Sequence, residues 1–152
     1  RQRQMCMRDR RGHWEAYSSG RGIPNLARYL ACQMPDLLAA TSLNLSELTA
    51  KDVFDAYRRG DALAREVIAW VKRFNAYGFA NIVDAYDPEL IVVGGSVALN
   101  NPDILLADLR RAVADYAVNT VPDIVPTRLG QQVGILGALA LGLGLEKKIP
   151  LR

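Results

Sequence analysis

Asp87-Pro88-Glu89-Leu90-Ile91-Val92-Val93-Gly94-Gly95-Ser96 is the stretch on which the fold turns. Leu90 to Val93 are all aliphatic, so both faces of an extended segment are apolar, which predicts a buried central strand. Gly94-Gly95 stops it. Pro88 disfavours the α conformation at Asp87, so it also closes whatever precedes it. Working backward, Leu63, Val67, Trp70, Val71, Phe74, Tyr77 and Ile82 recur at helical spacing and predict a helix over 61–86, capped by Asp61. Gly78 lies inside that helix at a cost of about 1 kcal/mol against alanine, which implies a close packing neighbour. Thr49-Ala50-Lys51-Asp52 resembles a capping box, with Asp in place of Glu or Gln, opening a helix that runs through Arg59 to Gly60. Further upstream, a short helix over 14–19 stops at Gly20, and a second over 23–32 admits Pro24 in its first turn. Residues 34–46 read as irregular or briefly helical.

Working forward, 103–118 predicts one amphipathic helix, and 123–128 a second strand that Pro126 places at an edge or bulge. Residues 132–143 form a last helix, apolar all round and therefore of the kind normally buried. The order gives an α/β class, a small sheet covered by helices.

The composition bounds this reading. At 152 residues, 50% hydrophobic and 23% charged, the chain reads as one soluble globular domain, not a disordered or fibrous segment. Cys6 and Cys32 are too few for a disulfide scaffold and point to a reducing cytosol. The apolar run over 134–145 falls short of the roughly 20 residues that a spanning helix needs, so no membrane partner is expected. No apolar secretory leader opens the chain. The net charge of +3 is lopsided, because Arg1, Arg3, Arg8, Arg10 and Arg11 crowd the first segment. Such an arm can grip nucleic acid phosphates. No base-reading helix, zinc finger or RNA-binding signature follows it, so a solvated tail or loop is favoured over a nucleic acid partner.

Three segments hold candidate chemistry. Gly94 and Gly95 end a strand where no Cβ blocks a ligand, and open α/β sheets bind ligands at the carboxyl ends of strands. A plain turn explains the pair equally well, and no GxGxxG or Walker pattern accompanies it. Cys6 and His13 are zinc-ligand types, but they are two where structural zinc takes four. Glu15, at a helix start, serves the helix dipole. The glycines of 129–138 suit tight helix packing or an anion at a helix start. His13 is the single histidine, which excludes a Ser-His-Asp arrangement.

Taken in order, these segments resemble the ROK family of sugar kinases and sugar-responsive regulators. Its pattern is C-x-C-G-x-x-G-C-x-E followed by A-x-x-S-G. Cys6, Gly12 and Glu15 fall on its first cysteine, later glycine and glutamate, with Ala16 and Ser19-Gly20 in register. The stretch from Asp87 to Gly95 looks like the strand before the adenosine site, and Val133-Gly134-Ile135-Leu136-Gly137-Ala138 like the closing helix. The resemblance implies an actin-like, ribonuclease-H-like ATPase fold, with residues 1–152 as the C-terminal lobe. It implies transfer of the ATP γ-phosphoryl, with Mg2+, to a hexose hydroxyl. Glu15 then bonds the sugar, and Gly94 and Gly95 line the nucleotide side. The chain departs from the pattern at Arg8, Asp9 and His13, which stand at the second cysteine, a glycine and the third cysteine. Cys6 and His13 thus remain as metal ligands, and zinc is expected to be weak or missing. The family's phosphate loop and catalytic aspartate would precede residue 1, so no catalytic residue is expected in the chain. The fragment alone is then expected to be inactive, because phosphoryl transfer depends on that positioning. Two other readings stand beside the kinase. One is the effector domain of a sugar-sensing repressor. The other is a homodimerisation module using the helices at 61–86 and 132–143.

Overall fold

A computed structural model describes residues 12–144 of the chain. Its elements run α1 (Glu15–Ser18), α2 (Gly22–Gln33), α3 (Pro35–Ala40), α4 (Ala50–Arg58), α5 (Ala62–Tyr86) and β1 (Leu90–Val93). After these come α6 (Ser96–Leu99), α7 (Pro102–Leu105), α8 (Leu109–Ala114), β2 (Asp123–Pro126) and α9 (Val133–Gly142). A short 3-10 turn at Gly130–Gln132 leads into α9.

The helix starts follow from side-chain chemistry. Asp61 accepts the Ala64 N–H at 3.0 Å and the Ser42 N–H at 3.0 Å, so one carboxylate caps α5 and ties down the loop after α3. Thr49 Oγ1 accepts from the Asp52 N–H at 3.3 Å while Asp52 Oδ2 accepts from the Thr49 N–H at 2.9 Å. The aspartate therefore completes the capping box as a glutamate would. At its far end α5 stops where Asp87 turns left-handed, with φ 44°, before Pro88.

Two apolar clusters share α5. Its first half buries Leu63, Val67, Ile68 and Val71 against Ile23 and Ala27 of α2 and Val53 and Phe54 of α4. Its second half buries Phe79, Ala80 and Val83 against Leu109 and Val113 of α8, with Ile91, Val93 and Ile124 of the sheet packed on them. Each fully buried side chain of this size contributes about 1.5–3 kcal/mol. One continuous helix thus packs against both the helical part and the sheet.

β1 and β2 pair in parallel, Leu90 opposite Asp123 and Val93 opposite Pro126. Pro126 ends an edge strand, where its missing N–H costs no ladder bond. Three expectations change. β1 is not buried on both faces: Leu90 is 53% and Val92 56% exposed, because α5 and α8 cover only the face carrying Ile91 and Val93. The helix expected over 103–118 breaks into α7 and α8. The break lets Ile104 and Leu105 enter the first cluster and Leu109 and Val113 the second. Finally, α9 is exposed along its length, with Ile135 at 69%, Leu139 at 55% and Leu141 at 67%. Its composition suits burial, but the described residues approach it only near its start, where Val133 lies beside Gly94. Among the described residues no helix is long and apolar enough to cross a membrane.

Candidate functional site

The site starts from how α1 is seated on α5. The Trp14 ring lies over Gly78, where an added Cβ would come within 2.4 Å of it, which is the close neighbour that the mid-helix glycine implied. The indole N–H donates to Asn75 Oδ1 at 2.8 Å, and the ring meets Phe79 edge-on at 5.0 Å. One turn on, Tyr17 packs against Phe74 at 4.7 Å. Between these two anchors, Glu15 is exposed, and its carboxylate has no partner among the described residues.

At the carboxyl end of β1 the chain passes into Gly94 and Gly95. Gly95 has φ 101°, a conformation that L side chains rarely adopt, and a Cβ there would meet nothing within 4 Å. The backbone is therefore open to an approaching group. Glu15, Gly94 and Gly95 line one cleft of about 590 Å³, whose walls are α1, the Asn75-Phe79-Ile82 face of α5, and the end of β1. The structure thus brings together the two candidate sites that the sequence put in separate segments.

A second cleft of about 460 Å³ lies between α4 and α6 and meets the first at Gly20, Ser96 and Val97. Asn101, 7% exposed, joins its walls. Its amide donates to the Val97 carbonyl at 2.9 Å and its oxygen accepts from Arg58 Nη2 at 3.0 Å. Lys51 Nζ donates to Asp55 Oδ2 at 2.6 Å. That hydrogen bond holds the Lys51 pKa above and the Asp55 pKa below their ordinary values. Sequence reasoning missed Lys51, Arg58 and Asn101 as cleft residues. The one signal for them in the sequence is Asn101 before Pro102, a pattern that marks a helix start.

Of the zinc-type residues, Cys6 lies outside the described residues and His13 is exposed. No group of three or more His, Cys, Asp or Glu among the described residues could hold a metal ion.

A small parallel sheet backed by helices, with a cleft at its carboxyl end, places the chain among α/β ligand-binding folds. The chain belongs to the ROK family, whose profile matches residues 1–144. The glucokinase of Aeropyrum pernix is 34% identical over 148 residues, which cover 92% of this chain and 45% of that protein. Among solved structures, a ROK family glucokinase from Streptomyces griseus in complex with glucose and AMPPNP is similar with a TM-score of 0.70. The identity there is 25%, over 86% of this chain and 44% of that one. The ROK hexokinase from Thermus thermophilus is similar with a TM-score of 0.66 at 31% identity, over 84% of this chain and 39% of that one. The fold is therefore the actin-like ATPase fold of these kinases. The chain spans less than half the length of each.

Proposed function

We propose that this chain is part of an ATP-dependent hexose kinase of the glucokinase kind, in which Glu15 receives the sugar and the Gly94-Gly95 turn backs the nucleotide. One observation carries this: a carboxylate without a partner among the described residues and a side-chain-free strand end line the same cleft. Its volume of about 590 Å³ lies within the range of small-ligand sites, roughly 300–1,000 Å³. A carboxylate suits a sugar because its two oxygens accept charge-assisted hydrogen bonds from adjacent hydroxyls.

In the reaction, a sugar hydroxyl oxygen attacks the γ-phosphorus. A new P–O bond forms, the bond to the bridging oxygen breaks, and ADP leaves. The hydroxyl proton passes to a carboxylate base, a role that the resemblance assigns to none of the described residues. Such transfers depend on positioning and electrostatics, so the role left to these residues is to hold the two substrates. Among the described residues Glu15 is the one carboxylate lining the cleft, too few for a divalent cation cage. Mg2+ is therefore best held by the nucleotide's own phosphates, and zinc forms no part of the reading. A cytosolic homodimer completes it, supported by the exposed apolar length of α9.

Thermal unfolding with added glucose tests the sugar assignment. A ligand at a hundred times its Kd stabilises by about 2.7 kcal/mol. Glucose is expected to raise the Tm of the chain and to raise that of Glu15→Gln by much less at the same concentration. Equal stabilisation of both proteins rules out Glu15 as the sugar ligand.

A further inference from the structure

We infer that Trp14 is a positioning residue for Glu15, setting where that carboxylate stands relative to the Gly94-Gly95 turn. The inference rests on the proposed sugar-binding role of Glu15. Trp14 is anchored in three ways at once. Its ring fills the notch left by Gly78, its N–H is held by Asn75 at 2.8 Å, and its edge meets Phe79 at 5.0 Å. Gly78 is a glycine inside a helix, and the ring of Trp14 blocks the space a Cβ would need there. The helix thus carries a weak helix former where the indole has to sit.

Location gives these contacts a consequence for the site. Asn75 and Phe79 line the cleft together with Trp14 and Glu15. Trp14 also packs into the sheet-side cluster with Ile91 and Val93, the strand residues just before Gly94. Tyr17, held by Phe74 at 4.7 Å, joins the other cluster. α1 is therefore pinned at both ends to one rigid helix, with Glu15 between the pins. The four-residue α1 has too few internal hydrogen bonds to hold its own orientation, so the anchors must supply it. Trp70 offers a contrast within the chain. It bonds Glu66 on its own helix at 2.9 Å and lies outside the cleft lining.

The test is a glucose titration of the full chain followed by 1H–15N NMR, with Glu15→Gln, Trp14→Ala, Trp14→Phe and the Trp14→Ala/Glu15→Gln double variant. Glucose is expected to shift the Trp14 indole N–H resonance and leave that of Trp70 in place. Trp14→Ala is expected to weaken glucose binding about tenfold. Trp14→Phe, which refills most of the notch, recovers most of that loss. In the Glu15→Gln background, Trp14→Ala is expected to add less than about twofold, because a residue acting through Glu15 has little left to position. If Trp14→Ala does not fold, Asn75→Ala carries the same cycle through the lost indole bond. Losses that multiply fully in the double variant, or Trp14 variants that lower Tm while leaving the glucose Kd unchanged, overturn the inference alone. Absence of glucose binding by the unmodified chain, or binding unmoved by Glu15→Gln, overturns the sugar-site reading and this inference with it.

Discussion

Gly78→Ala separates two effects of opposite sign. By helix propensity the change stabilises, since alanine in a helix interior is better than glycine by about 1 kcal/mol. Crowding against Trp14 opposes that gain and exceeds it. The new Cβ would lie 2.4, 2.5 and 2.7 Å from three ring atoms of Trp14. Carbon contacts need about 3.5–4.0 Å, so the ring must withdraw by roughly 1 Å. Withdrawal weakens the indole bond to Asn75, about 1 kcal/mol, and the edge-on contact with Phe79, about 0.5–1.5 kcal/mol. Overpacking strain adds about 1–3 kcal/mol where the ring cannot fully clear. With the propensity gain subtracted, the net is a destabilisation of about 1.5–4.5 kcal/mol, equivalent to roughly 3–18 °C in Tm for a chain of this length. Urea and thermal unfolding read it. Gly137→Ala in α9 is the control, because a Cβ there meets nothing within 4 Å and the propensity gain stands alone. If Gly78→Ala stabilises the chain as much as Gly137→Ala, the seating of Trp14 over Gly78 is wrong.

Other outcomes follow from single residues. Asp61→Ala removes the cap of α5 together with the bonds to Thr41 and Ser42, and is expected to cost about 1–2 kcal/mol in urea unfolding. Burial opposes the Asp61 charge, but the N–H donors of Ala64 and Ser42 and the hydroxyls of Thr41 and Ser42 outweigh it and lower its pKa. The unfolded chain binds that proton more readily. The contribution is therefore full above the ordinary value of 3.8 and is lost as pH falls through the lower folded value, a dependence that Asp61→Asn removes. Asn101→Ala breaks the links to Val97 and Arg58 and is expected to lower stability by about 1–3 kcal/mol, read by thermal unfolding. Leu139→Lys with Leu141→Lys is expected to abolish concentration-dependent association in light scattering while changing stability by about 0.5 kcal/mol or less per site, since both side chains are exposed. An unmodified chain that stays monomeric at high concentration contradicts the assigned contact.

Local chemistry was the most legible part of the sequence. Asp61, and Thr49 with Asp52, announce their helices because a cap depends on residues within one turn. Gly78 announces a close neighbour without naming it, because Trp14 and the α5 residues it touches, such as Asn75, 61 positions away, meet only in the folded chain. Leu90, Val92 and α9 misled because an apolar residue records the burial it is suited to, and the described residues cover one face of the sheet and leave most of α9 exposed. The continuous period over 103–118 misled for a related reason: its apolar residues serve two clusters, which one straight helix could not reach. A lone carboxylate at a helix start and a Gly-Gly turn each have a bland explanation, so Glu15 and Gly94-Gly95 became a candidate site only through their order along the chain. Arg58 and Asn101 belong to no such order. Their pairing depends on the approach of α4 to α6, which no local pattern encodes.

The central claim is that Glu15 and the Gly94-Gly95 turn serve two substrates in one cleft. Backbone NMR of the chain with glucose alone, a nonhydrolysable ATP analogue alone, and both together tests it most directly. The expected result is glucose shifts centred on residues 14–20, analogue shifts centred on 93–97, and simultaneous occupancy in the mixture. Analogue shifts confined to residues outside both clefts, or mutual exclusion of the two ligands, would contradict it.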